Sequence, residues 1–188
     1  MSARFITPQL AEEAIYSRLT RLPVESLPLS QCQGATLRED IYAERDNPPF
    51  DRVCMDGIAI DSGALRGGLR RFPVQGTQEA GAPPLRLERT ENAIEVMTGA
   101  MLPLAADCVI PLEQYALADG VVSLTSDVVM TPYHNVQRRG VDSASGALLL
   151  KAGTQLGAPE IAVAASAGVN DLAPEGRSAP IPPSTSST

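Results

Sequence analysis

Pro48 and Pro49 stand side by side, and no regular element can run through them. Each fixes φ and lacks a backbone donor, so a helix or an interior strand must stop there. The stretch that follows, Phe50-Asp51-Arg52-Val53-Cys54-Met55-Asp56-Gly57, ends in a tight-turn signature, with Gly57 free to take positive φ. Before the bend, apolar residues recur at helical spacing. After it they alternate with period two. The bend thus separates two kinds of chain.

On its N-terminal side, Thr7 is an N-cap and Pro8 a first helical residue. Leu10, Ala14, Leu19 and Leu22 extend the pattern and predict a helix from Pro8 to about Arg21, stopped by Pro23. A short extended piece bent at Pro28, a helical turn within 31–37 and a strand at Ile41-Tyr42-Ala43 follow. Beyond the bend the expected strands are short: Ile58–Ile60, an edge strand at Phe72-Pro73-Val74-Gln75, Asn92–Met97, Ala106–Pro111, and Val128-Val129-Met130. Tyr115-Ala116-Leu117 and Val121–Leu124 flank Ala118-Asp119-Gly120, the clearest hairpin signal in the chain. Helical character returns at Ala158-Pro159-Glu160 and runs to about Ala167, with Gly168 suited to the C′ position. A short strand is expected at 169–172.

The fold class expected is α+β, mainly β. A discontinuous helix–strand domain I, residues 1–43 plus 143–173, carries an inserted β-barrel-like domain II, residues 44–142. The Pro-, Ser- and Thr-rich stretch 174–188 has almost nothing to bury and is expected to be disordered.

Composition limits the function classes. The chain has 188 residues and a net charge of −7, which argues against bulk nucleic-acid or anionic-membrane binding. An anionic ligand would need a local basic group or a cation. Aromatics are 4% and Trp is absent, so the core must be aliphatic. Cys32, Cys54 and Cys108 have neither metal-ligand nor redox spacing, which reads as reduced thiols in a cytoplasmic protein. His134, the single His, cannot anchor a His-based metal site, and no apolar run approaches membrane-spanning length.

Two further stretches share the character of the first: Met97-Thr98-Gly99-Ala100, and Asn135-Val136-Gln137-Arg138-Arg139-Gly140-Val141-Asp142. Each puts polar residues beside a Gly at the end of an apolar run, and the three loops are expected to meet. Asp56 is a turn former or a Mg²⁺ ligand, since hard cations take carboxylate oxygens. Thr98 caps a strand end, donates to an oxyanion or binds a cation. Arg138 and Arg139 point to opposite sides of an extended chain, so one can hold an anion while the other is solvated or pairs with an acid. Asp142 is a second carboxylate or a turn residue, and Asp51 reads as a turn former.

In order and spacing these motifs, with Pro103 and Ala106-Asp107-Cys108-Val109-Ile110-Pro111-Leu112-Glu113 between them, resemble the N-terminal half of molybdopterin molybdenumtransferases. That family includes the bacterial enzyme and the E domain of gephyrin. The resemblance covers about Thr7 to Leu172. It implies insertion of molybdate into adenylylated molybdopterin with Mg²⁺, releasing AMP, by a homodimer whose cleft lies between domain II and a third domain of the partner. By motif position it implies catalytic roles for Asp56, Thr98 and Asp142, anion binding by Arg138, Arg139 and Thr98, and Mg²⁺ ligation by Asp56 and Asp142.

The chain departs from the family pattern at Val53-Cys54, where Ser-Ala is usual, at Gln137 in place of a third Arg, and at Val141 in place of an acid. The glycine-rich and Pro-Gly-Asn-Pro motifs of the pterin-binding third domain are not in the sequence, and its end reads as an artificial or frameshifted one. The expectation is therefore a chain inactive alone, working with a pterin-binding domain or protein in cis or in trans. The alternative is a truncated, non-catalytic dimerisation or scaffold module.

Overall fold

The computed structural model describes residues 6–19, 24–172 and 174–175. In chain order the elements are α1 (Pro8–Tyr16), β1 (Leu27–Pro28), a 3-10 turn at Leu29–Gln31, β2 (Thr36–Leu37), β3 (Ile41–Tyr42), β4 (Arg52–Val53), β5 (Gly57–Ile60), α2 (Ser62–Arg66), β6 (Arg71–Gln78) and β7 (Ala93–Val96). There follow β8 (Cys108–Pro111), a 3-10 turn at Leu112–Gln114, β9 (Tyr115–Ala118), β10 (Val121–Leu124), β11 (Val136–Gln137), β12 (Leu148–Leu150), α3 (Ala158–Ser166), β13 (Asp171–Leu172) and β14 (Pro174–Glu175). The fold is mainly strand with few helices. It divides into two compact units, one of residues 1–41 and 148–188, the other of residues 42–147.

In the first unit β1 pairs with β13 and β2 with β14, all antiparallel. Cys32, Leu37, Leu156, Ala164 and Leu172 form its buried core. α3 starts where Glu160 reaches back to the Gly157 N–H at 2.9 Å and ends at Ser166, with Ala167 as its C-cap and Gly168 at φ 85°. α1 is capped by Thr7, whose hydroxyl accepts from the Leu10 N–H at 3.3 Å, but it stops at Tyr16, and no residue in it is buried. The part of the helix expected at 20–21, and its stop at Pro23, lie outside the described residues. The helical turn expected within 31–37 is instead the 3-10 turn one step earlier followed by a strand. Pro174 and Glu175 belong to β14 rather than to the tail, and 176–188 lie outside the described residues.

The second unit is built on a curled six-stranded sheet in the order β8-β5-β7-β6-β10-β9. All pairings are antiparallel except β6 with β7. The period-two alternation sorts side chains onto two faces. Ile58, Ile60, Cys108 and Ile110 join one core with Phe72 and Val122. Ala59, Ile94, Val96 and Val109 join another with Val53 and Val136. The hairpin turns at Asp119 and Gly120, with φ 51° and 71°, the positive pair a type I′ turn requires.

Three expectations change in this unit. Phe72–Gln75 is not an edge: β6 lies between β7 and β10. Pro73 is tolerated because Val74, one residue on, turns its N–H to Gly120 of the hairpin. The Pro73 nitrogen therefore faces the other neighbour, whose register begins only at Val74. Val128-Val129-Met130 alternates in burial but pairs with no strand. Gly57 does not take positive φ; it is a strand residue in close approach to the next strand. Among the described residues no helix is long and apolar enough to cross a membrane.

Candidate functional site

β4 is short, and its neighbours explain why the three loops converge. On one side Val53 donates to Ala100 O and Gly99 donates to Val53 O, both at 2.9 Å, while Leu102 donates to Asp51 O at 2.9 Å. On the other side β4 pairs with β11, Val53 opposite Val136 and Arg52 opposite Gln137, and Cys54 donates to Asn135 O at 3.0 Å. The Pro49–Gly57 stretch is thus the middle of a three-chain patch, with the 97–102 and 135–142 segments on its flanks.

The polar side chains of the patch form three groups. In the first, Asp56 Oδ1 accepts the backbone N–H of Thr98 at 2.6 Å and its hydroxyl at 2.8 Å. Those two bonds, the backbone one foremost, hold the Asp56 carboxyl below its ordinary range, so the exposed carboxylate is ionised. The Thr98 hydroxyl proton is directed to Asp56 in this arrangement and not to an incoming anion.

In the second group, Gln137 Nε2 donates to both Asp142 oxygens, at 3.0 and 2.9 Å, and Gln137 Oε1 accepts from the Arg52 guanidinium. Asp142 is thereby tied to Gln137 and not to Asp56. Among the described residues no group of three or more His, Cys, Asp or Glu is placed to hold a metal ion.

In the third, the Arg139 guanidinium meets Asp46 at 2.6 Å, and its backbone N–H donates to Asp51 Oδ1 at 2.8 Å. Asp51 is therefore a clasp between distant loops as well as part of a bend. The Asp46 carboxyl is held below its ordinary range by the Ser145 N–H first and by Arg139 next. Arg138 points elsewhere, its guanidinium 4.3 Å over the Tyr133 ring. The two adjacent arginines are divided as the extended backbone requires, one neutralised by an acid and one stacked.

Beside Arg139 lies a cavity of about 350 Å³ lined by Phe50, Asp51, Met101, Leu102 and Pro103. A larger one, about 560 Å³, lies at the hairpin among Glu113, Tyr115, Asp127 and His134 and includes none of Asp56, Thr98, Arg138, Arg139 or Asp142. The converging charges place the candidate site at the loops.

Sequence reading missed Arg52, Asp46 and Tyr133. Arg52 had one signal, its place within the Pro49–Gly57 motif. Asp46 had none, because its partners Arg139 and Ser145 lie far along the chain. Tyr133 is only five residues from Arg138, but its aromatic ring carries no charge pattern to mark it.

The profile of the MoeA N-terminal region, domain I and II, matches residues 6–168. The chain belongs to this family. A molybdopterin molybdenumtransferase of Synechocystis sp. is 34% identical over 154 residues, covering 82% of this chain and 40% of that protein. One of Haemophilus influenzae is 31% identical over 166 residues, covering 86% and 40%. A solved molybdopterin biosynthesis MoeA protein from Pyrococcus horikoshii superposes with a TM-score of 0.82 at 26% identity, covering 92% of this chain and 46% of that one. A second structure from that organism gives 0.76 at 30% identity, covering 90% and 44%. The chain thus spans about two fifths of the length of the curated relatives it matches. The three-loop patch lies wholly within residues 42–147.

Proposed function

We propose that this chain supplies one wall of a molybdenum-insertion site in molybdenum cofactor biosynthesis. The reaction joins molybdate to adenylylated molybdopterin and releases AMP. The observation that carries the reading is the convergence of three loops on β4, which sets an ionised Asp56 and a stacked Arg138 on one small patch of a MoeA N-terminal fold. The names of the relatives support the transfer of molybdenum to molybdopterin. The adenylylated substrate and the release of AMP are what the family resemblance implies.

The residues divide the work by charge. Arg138 offers a guanidinium to the molybdate or phosphate oxygens. Arg139, clasped by Asp46 and Asp51, holds the loop in shape and adds positive potential. Asp56 is a hard oxygen donor suited to Mg²⁺, which takes few protein ligands and completes its shell with water and substrate phosphates. The cation would neutralise charge between the carboxylate and the oxyanions. Thr98 orients Asp56. Asp142 joins the cation shell if ligand displaces its Gln137 bond. The pterin is recognised by a further domain, in the same or another polypeptide. Exposed apolar residues on α1, Leu10 at 54% and Ile15 at 61%, support a homodimer. The cytoplasm is the compartment that goes with this reading.

The test is complementation of a strain deficient in the cofactor, with and without a supplied pterin-binding domain. Rescue only with that domain, lost on Asp56→Asn, is expected. Robust AMP release by the purified chain alone, or rescue unaffected by Asp56→Asn, would refute it. The uncovered face of α1 favours a second reading, a non-catalytic dimerisation module. That reading expects a dimer and no rescue under either condition.

A further inference from the structure

Arg52 stands on β4 directly across from Gln137 on β11, and its backbone bridges Met101 on the other side. Its guanidinium donates to Gln137 Oε1, while Gln137 Nε2 donates to both oxygens of Asp142. A primary amide has one accepting end and one donating end. With the oxygen committed to a cation and the nitrogen to an anion, Gln137 cannot turn over without losing a charge-assisted bond at each end. The amide therefore acts as an oriented clamp that holds the Arg52 head at the middle of the three-chain patch.

Its charge is available there. Among the described residues no carboxylate pairs with Arg52, in contrast to Arg139, whose guanidinium meets Asp46 at 2.6 Å. A guanidinium carries five N–H donors, so the bond to one amide oxygen leaves others for a ligand. Arg52 is exposed, and the fork of an Arg head matches the spacing of two oxygens on a tetrahedral oxyanion.

We propose that Arg52 is an oxyanion-binding residue of this site, oriented by Gln137, receiving molybdate or phosphate oxygens. The inference rests on the function proposed above and extends it to a residue and a positioning partner. Gln137 is a positioning residue: it touches Arg52 and Asp142 and acts on the ligand through them. Positions directly opposite on paired strands carry side chains whose Cβ atoms lie about 5 Å apart. A cation moved from position 52 to position 137 therefore stays on the same part of the surface, with Asp142, which Gln137 meets, beside it.

The experiment is a nuclear magnetic resonance titration of the isotope-labelled full chain with orthophosphate and, separately, with molybdate. Arg52→Gln is expected to weaken binding of both about tenfold, the usual worth of a charge-assisted hydrogen bond. Arg52→Lys, which keeps the charge and loses the fork, falls between. The exchange R52Q/Q137R, made with Asp142→Asn so that the moved cation meets no carboxylate, restores affinity to within about threefold, an outcome that a role in folding alone would not produce. Arg138→Gln serves as the reference for the site. If R138Q weakens binding and R52Q and R52K do not, the inference is wrong and the site stands. If neither oxyanion perturbs the patch in the native chain, both are wrong. Should R52Q fail to fold, R52K and the exchange variant decide: an exchange variant no tighter than R52K overturns the proposal.

Discussion

Asp56 and Thr98 are 42 residues apart in sequence and joined twice, the same carboxylate oxygen taking the Thr98 N–H at 2.6 Å and the Thr98 hydroxyl at 2.8 Å. The pair ties the end of the Pro49–Gly57 stretch to the turn after β7. Because the backbone bond is the larger cause of the lowered Asp56 pKa, Thr98→Val should raise that pKa only part of the way back to its ordinary 3.8. The sign follows from linkage: the contribution is fully present above the unfolded value of 3.8 and is lost as pH falls through the lower folded value. The variant should therefore lose its acid-side stability at a higher pH than the native chain. A carboxyl-carbon titration reads this directly. An Asp56 titration unchanged by Thr98→Val would show that the hydroxyl bond does not form in solution.

Gly57→Ala should be among the most damaging single changes in the second unit. A Cβ at this position would lie 2.0 Å from the Ile110 carbonyl oxygen, a backbone atom held in the β5–β8 ladder. The expected cost is at least about 3 kcal/mol, or a melting midpoint lower by about 10 °C. Calorimetry showing a loss below about 1 kcal/mol would mean that the two strands part easily.

Gln78 is 1% exposed and holds the 79–85 loop. Its amide nitrogen lies 3.2 to 3.3 Å from the carbonyls of Glu79, Ala82 and Pro83, and its amide oxygen accepts the Leu85 N–H at 2.5 Å. Gln78→Leu keeps the volume and strands those groups. It should cost about 3 kcal/mol and speed proteolysis within 79–85. A stability within about 0.5 kcal/mol of the native chain would show that water replaces the clamp.

Thiol reactivity should separate the three cysteines. Cys54 is exposed, whereas Cys32 and Cys108 are buried. Burial first, and Asp107 next, push the Cys108 thiol up to about 12, while burial and then Asp171 raise Cys32. A disulfide reagent near pH 8 should find one fast thiol in the native chain and all three after unfolding. A second fast thiol would report local opening around Cys32 or Cys108.

The uncovered face of α1 should matter to assembly and not to folding of the chain, since the helix buries no residue within it. Leu10→Glu with Ile15→Glu is expected to leave the melting midpoint of the monomer fold unchanged and to halve the mass seen by light scattering. A native chain of monomer mass, or a dimer that survives both changes, would show that the face is not the contact.

The local features were readable because a few adjacent residues specify them. Pro48-Pro49 breaks any element, Asp119-Gly120 makes a positive-φ turn, and Thr7-Pro8 and Glu160 start helices. Period two after the bend announced the strands, and Ile58, Ala59 and Ile60 sorted onto two cores as that period requires. What tertiary structure alone decided are relations between distant residues. Pro73 marks an edge by chemistry, yet sits inside a sheet because its missing donor falls where the ladder has not begun. Gly57 reads as a turn glycine and is needed for its lack of a Cβ against Ile110. Asp51 reads as a bend residue and meets Arg139 across 88 positions. Arg52 was marked only by its place within the Pro49–Gly57 motif, and became part of the site when the β4–β11 register set it opposite Gln137. Turn chemistry is a property of neighbours in the chain. A hydrogen bond between loops depends on register, which only the packed strands determine.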